Sequence, residues 1–246
     1  MKEKYRRAWD LISSSRRTLA LTGAGISTLC GIPDFRTDQS GVWDRHDRET
    51  IFDIEYFKKN PGPFYDFAKE YIYAFGDILP GEAHLWLARL AEKGLLSAIA
   101  TQNIDGLHQK AGSKTVYELH GHARSSHCLQ CRRRYESGEV VEIMTRMAVP
   151  HCSCTGVIKP DVIFYGEPLP EDALESAYHE ASRCDLLLVM GTSLAVYPAA
   201  YIPNIALNSR AHMIIMNVTS TSMDSHASLV IHDDLRDVCT AMLTLI

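Results

Sequence analysis

Seven short apolar runs punctuate this chain, at residues 19–21, 95–100, 116–119, 162–164, 186–190, 213–216 and 229–231. Most are separated by stretches long enough for a helical crossover, which parallel neighbours need because no tight hairpin can join them. That spacing predicts an α/β chain: a Rossmann-like, doubly wound parallel sheet with helices on both faces. Tyr5, Trp9 and Ile12 recur at helical spacing before the first run. The run then enters Thr22-Gly23-Ala24-Gly25-Ile26-Ser27, read as a strand, a glycine turn and a helix.

Two stretches interrupt the alternation. Residues 38–85 hold a loop and aromatic-rich helices (Ile51, Phe52, Tyr56, Phe57, Phe64, Tyr65, Phe67), and residues 122–158 hold a cysteine cluster. The expected organisation is one unit over 1–246. Its large Rossmann-like part takes 1–37, 86–121 and 159–246, and a small module is built from the helical insertion 38–85 and the metal insertion 122–158. The module packs on the large part and leaves a cleft between them.

Cys128 and Cys131 form a CxxC turn, and after 20 intervening residues Cys152 and Cys154 can close a tetrahedron around zinc. The second knuckle is one residue short. His151, three residues before Cys154, leaves open a site in which its imidazole replaces Cys152; the four-thiolate set is preferred. Four thiolates leave no open coordination position, so the ion would be structural. No secretory leader is visible, so a reducing compartment and a cytoplasmic location are expected. Cys30, Cys184 and Cys239 stand apart and read as packing residues.

The net charge of −5 argues against nonspecific nucleic-acid binding, and no apolar run approaches a membrane span. Arg132, Arg133 and Arg134 are a local exception, expected on the solvated face of the knuckle. Gly23 and Gly25 would let backbone N–H groups approach a phosphate at a helix N-terminus. Thr28 stands where a dinucleotide fingerprint carries its third glycine, and Asp44 and Asp47 lie in a Pro- and Gly-flanked loop rather than ending a second strand. Both departures disfavour hydride transfer.

Further strings follow: Gly31-Ile-Pro-Asp-Phe-Arg36, Thr101-Gln-Asn-Ile-Asp-Gly-Leu-His108, Glu118-Leu-His120-Gly121 just before the cysteines, and Gly191-Thr-Ser193. In this order they resemble the sirtuin family of NAD-dependent protein deacylases, over nearly the whole chain. The resemblance implies a cofactor-binding loop containing Ala24, Thr28, Phe35 and Arg36 beside Gly23 and Gly25. It places Gln102, Asn103, Ile104 and Asp105 against the nicotinamide ribose and carboxamide. Gly191, Thr192, Ser193, Asn217 and Val218 fall to the adenosine half, with Asp234 and Leu235 near the adenine. Trp43 is a further candidate aromatic of the cofactor loop. His120 would be the catalytic base, with Asn103 beside it.

The implied reaction consumes NAD. The acyl-lysine oxygen attacks the ribose carbon as nicotinamide leaves, and a ribose hydroxyl activated by His120 then attacks the imidate, giving free lysine and an O-acyl-ADP-ribose. The segment Val162-Ile-Phe-Tyr-Gly-Glu167 would pair with an extended acetyl-lysine peptide. Ile163 and Tyr165 would line the acyl tunnel, and Gly166 and Glu167 the peptide track. Sirtuins that remove acidic acyl groups carry a Tyr followed three residues later by an Arg. Here the matching residues are Tyr65 and Ala68, which predicts a preference for acetyl-lysine. Protein mono-ADP-ribosylation is the competing activity, and a zinc-knuckle nucleic-acid module the competing non-enzyme reading.

Overall fold

The computed structural model describes residues 2–32, 47–73 and 78–246. In chain order the described elements are α1 (Glu3–Ser14), β1 (Thr18–Thr22), α2 (Arg48–Ile51), α3 (Ile54–Lys59), α4 (Gly62–Tyr71), α5 (Glu82–Glu92), β2 (Ala98–Thr101), α6 (Leu107–Lys110), β3 (Val116–Glu118), β4 (Gly121–Cys128), β5 (Arg134–Glu136), α7 (Ser137–Met144), β6 (Ile158–Val162), α8 (Glu171–Ala181), β7 (Leu186–Met190), α9 (Ile202–Asn208), β8 (His212–Met216), β9 (Leu229–Ile231) and α10 (Leu235–Leu243). Strands β3-β2-β1-β7-β8-β9 form one parallel sheet in that order. The strand order reverses between β1 and β7, the signature of a doubly wound fold.

The apolar runs are continuous because the central strands are covered on both faces. Alternate residues of one strand enter different cores. Ala20, Leu186, Leu188, Ile214 and Met216 pack with α1, α5 and α10, while Leu19, Leu21, Leu187, Val189 and Ile215 pack with α8 and α9.

The 95–100 run delivers less strand than its length suggests. The Leu95 N–H closes α5 on Leu90 O at 2.9 Å, and pairing starts at Ala98. After β1 the chain makes two 3₁₀ turns, Ala24–Ile26 and Thr28–Cys30, where the sequence reading placed a helix. Gly31, left-handed at φ 89°, ends the second turn, and the residue before Pro33 disfavours helix.

The 162–164 run does not join the main sheet. β6 ends at Val162 and pairs antiparallel with β4, which also pairs with β5. This small sheet and helices α3, α4 and α7 enclose a separate core in which Phe52, Phe57, Phe64 and Phe164 meet edge to face or tilted, with Cys128 and Cys152 at its margin. The two insertions therefore share one interior.

Candidate active site

A cleft of about 1250 Å³ opens at the carboxyl ends of β1 and β7, where open parallel sheets bind ligands. Its wall on the sheet side is made by the segments after β1, β2, β7 and β8, and its other wall by α4 and residues 162–171. Gly25 and Gly191 are required here by packing. The Gly25 N–H donates to Gly191 O at 2.9 Å, and a Cβ on Gly25 would lie 2.8 Å from Gly191 Cα. The two glycine turns are thus pressed together, leaving backbone rather than side chain on this part of the floor.

His120 lies between β3 and β4 and reaches the cleft. Its Nδ1 is 3.0 Å from Gln102 O. A carbonyl can only accept, so Nδ1 carries the proton and Nε2 of the neutral ring keeps its lone pair. Burial pushes the His120 pKa below the usual value, with the Gln102 bond opposing. Gly121 follows at φ 71°, and a Cβ there would collide with Asp161 O. The sharp turn after His120 is therefore closed to larger residues.

Asp105 accepts from Ser27 Oγ at 2.8 Å and from the Leu107 N–H at 2.8 Å. Burial raises its pKa, and these two bonds oppose the rise. Asn103 donates through Nδ2 to Gly23 O and to Ser27 Oγ, both at 3.1 Å. It ties the β2 end to the glycine turn, with its amide nitrogen already engaged. Gln102 Nε2 donates to Thr192 Oγ1 at 3.0 Å, joining the two halves of the cleft.

Of the residues expected to hold the dinucleotide, Gly23, Ala24, Gly25, Thr28, Gln102, Asn103, Ile104, Asp105, Gly191, Thr192, Ser193, Asn217, Val218 and Leu235 line this cleft together with His120. Asp234 does not: its carboxylate caps α10 by accepting from the Arg236 N–H at 2.7 Å. Phe35, Arg36 and Trp43 lie outside the described residues. Ser27 was passed over in the sequence despite standing inside the glycine-turn motif; it bonds both Asp105 and Asn103.

On the opposite wall Ile163, Tyr165, Gly166 and Glu167 also line the cleft. Tyr165 is half exposed, but Glu167 turns its carboxylate inward, onto Lys159 Nζ and the Phe164 N–H. Tyr65 and Ala68 are not among the residues that line the cleft. Both are fully buried, and the Tyr65 hydroxyl donates to Ile158 O. Phe67 and Tyr71, stacked one turn apart on the same helix, face the cleft instead. Among the described residues, no Lys or Arg lines it, and its acids are Asp105, Glu167 and Glu171.

The Sγ atoms of Cys128, Cys131, Cys152 and Cys154 all lie within 4.8 Å of one another, with the Cys128–Cys154 and Cys131–Cys152 pairs at 3.5 Å. Zn–S bonds of about 2.3 Å imply tetrahedron edges of about 3.8 Å, so the four thiols fit zinc. The Cys154 N–H and the Tyr135 hydroxyl pull the Cys152 thiol toward the thiolate. His151 stands outside the group, exposed and bonded to Val149 O at 2.9 Å. Cys184 and Cys239 are buried in the cores, Cys30 partly so.

The sequence profile of the Sir2 family matches residues 23–198. A protein of Thermotoga maritima described as an NAD-dependent protein deacetylase is 44% identical over 94% of this chain and 94% of its own length. A solved Sir2 structure with a p53 peptide and NAD+ superposes with a TM-score of 0.91 at 42% identity, covering 100% of this chain and 98% of that one. Another, a Sir2 variant with a deacetylated p53 peptide and 3′-O-acetyl ADP ribose, has a TM-score of 0.94 at 42% identity, covering 98% of each.

Proposed function

The chain belongs to the Sir2 family, and from that membership we propose that it is an NAD-dependent protein-lysine deacetylase, releasing nicotinamide and O-acetyl-ADP-ribose. The observation that carries this reading is the cleft itself. One imidazole nitrogen is held free of protons in its lining, which also offers a backbone-lined floor suited to a diphosphate and an apolar wall suited to an acyl chain. NAD, when bound, supplies an electrophilic ribose carbon and a good leaving group. The chain's own residues bind, orient and move protons.

In this reading His120 Nε2 takes a proton from a ribose hydroxyl, and its Nδ1–H bond to Gln102 O steadies the imidazolium that results. Asp105, fixed by Ser27 and Leu107, faces the nicotinamide carboxamide as an acceptor. Ile163, Phe164 and Tyr165 border the acyl-lysine, and Thr192, Ser193, Asn217 and Val218 the adenosine half.

The cysteine quartet is the candidate structural zinc site and takes no part in the chemistry. No helix among the described residues is long and apolar enough to cross a membrane. We place the enzyme in the cytoplasm because the thiols of the cysteine quartet are free, and a reducing compartment preserves them.

Incubation with acetylated peptides, with and without NAD, tests the reading. Nicotinamide release that requires both peptide and NAD, with loss of an acetyl group from the peptide by mass, is the expected result. A peptide that gains ADP-ribose instead would assign the cleft to ADP-ribosyl transfer.

A further inference from the structure

One charged side chain is among the largest fully buried groups of the molecule and belongs to no site described above. Lys159, on β6, is 2% exposed. Its ammonium has three N–H donors and finds three oxygens: Pro160 O at 3.2 Å, Val162 O at 2.7 Å and Glu167 Oε2 at 2.8 Å. It also lies 4.2 Å from the centroid of Phe164, a ring that lines the cleft. Glu167 Oε2 in turn accepts from the Phe164 N–H at 2.8 Å. Every one of these oxygens and donors lies between Lys159 and Glu167.

Apart from the Glu167 N–H, which donates to Phe164 O at 3.0 Å, the other backbone attachments of this segment come from outside it. The Ile163 N–H donates to His120 O at 2.9 Å, the Tyr165 N–H to Phe52 O at 2.8 Å, and the Ile54 N–H to Tyr165 O at 3.0 Å. The segment therefore hangs between the catalytic turn and the helical insertion, and Lys159 with Glu167 fixes it from beneath.

A buried ion pair is a poor way to gain stability, because well-packed apolar residues of similar volume usually serve as well or better. Its use here fits a demand for position. We propose that Lys159 is a positioning residue for the substrate peptide: through Val162 O and Glu167 it sets the path of residues 162–167, so that their exposed edge can pair with an extended acyl-lysine peptide. The proposal rests on the deacetylase reading for its substrate. The β6 strand that carries Lys159 is paired with β4, which ends at Cys128, so the cysteine module and the peptide wall share one strand pair.

The test compares Lys159→Met, Glu167→Gln and the double variant with the unaltered protein. Lys159→Met alone strands the Glu167 carboxylate, so the double variant, which removes that charge, is the deciding one. The readouts are peptide and NAD KM, kcat, melting temperature, and direct binding of a fluorescent acetyl-lysine peptide by anisotropy.

The double variant is expected to melt near the unaltered protein, with peptide KM and Kd raised roughly tenfold and NAD KM within about twofold. Its effect on peptide affinity should be no larger than that of Lys159→Met alone, since both substitutions break one unit. A folded double variant that binds peptide like the unaltered protein would overturn the proposal, as would an equal rise in both KM values. Unaltered protein that binds the peptide without releasing nicotinamide would overturn the deacetylase reading instead, and anisotropy would still decide the role of Lys159.

Discussion

His120 shows how one backbone carbonyl decides a residue's chemistry. Because Gln102 O fixes the tautomer, His120→Ala should lower deacetylation by about 10²–10⁴-fold while leaving NAD binding and melting temperature nearly unchanged, as steady-state kinetics and calorimetry would check. Only the neutral ring is a base, and burial lowers its pKa. Activity should thus be lost only as pH falls below about 6.5, the ordinary histidine value, and a kcat/KM profile whose acid limb is centred above pH 7 would contradict the assignment. Two other histidines act on stability. His84 is pulled to about 4 and His108 to about 3, in both cases first by burial. The His108 Nδ1 has no hydrogen-bond partner among the described residues, and its Nε2 meets Thr22 Oγ1 at 3.0 Å. Both rings stay neutral in the fold while the unfolded chain takes up protons below about pH 6.5, so stability must fall as pH drops from there toward 4. The limiting slope is about 2.7 kcal/mol per pH unit for two such groups. Urea midpoints at pH 7 and pH 5 measure it, and replacing His108 with Gln should flatten the dependence.

The strand pair β4–β6 is the element on which the small core depends. It ends at Cys128 on one side and runs into the cleft-lining segment 162–167 on the other, while Cys152 and Cys154 return in the loop just before β6. Closing these thiols on one ion joins the two ends of the insertion, and metal-binding free energy then becomes folding free energy. Cys154→Ser should therefore carry less than one zinc per chain and melt roughly 5–10 °C lower, since about 1 kcal/mol moves a chain of this size by about 2–4 °C. Full zinc and unchanged melting would remove the site. Replacing His151 with Ala should leave metal content unaltered, because its ring is turned to Val149 O.

Substrate selectivity belongs to the whole molecule, since the acyl chain would lie between two cores. The wall contributed by the small core is apolar and aromatic, with Phe52, Phe67, Tyr71 and Phe164 facing the cleft. An acidic acyl group would bring its carboxylate into this region with no Lys or Arg among the described lining residues to receive it, at a cost of several kcal/mol. On one peptide sequence, acetyl-lysine should therefore exceed succinyl-lysine in kcat/KM by at least about 30-fold. A faster succinyl reaction would show a cation reaching the cleft.

The sequence by itself determined the parts whose chemistry is local. Apolar runs at crossover spacing specify a parallel sheet, since strands buried on both faces must be apolar throughout. Paired cysteines specify a metal clip, since tetrahedral thiolate ligation tolerates few spacings. The motif around His120 marked the cleft residues because they are short strings at strand ends. Tertiary structure decided what depends on direction. A helix residue is separated from its neighbour by about 100°, so the string 65–71 alone did not reveal that Tyr65 turns into the core and Phe67 into the cleft. Glu167 reads as a residue of the peptide track, and its position in the string gives no sign that a buried lysine eight residues earlier holds its carboxylate. Asp234 reads as an adenine contact until its own helix takes its oxygen. Of the 162–164 run, apolar enough for the main sheet, only Val162 enters a strand: it ends β6 in the small sheet, opposite Gly121 at the start of β4.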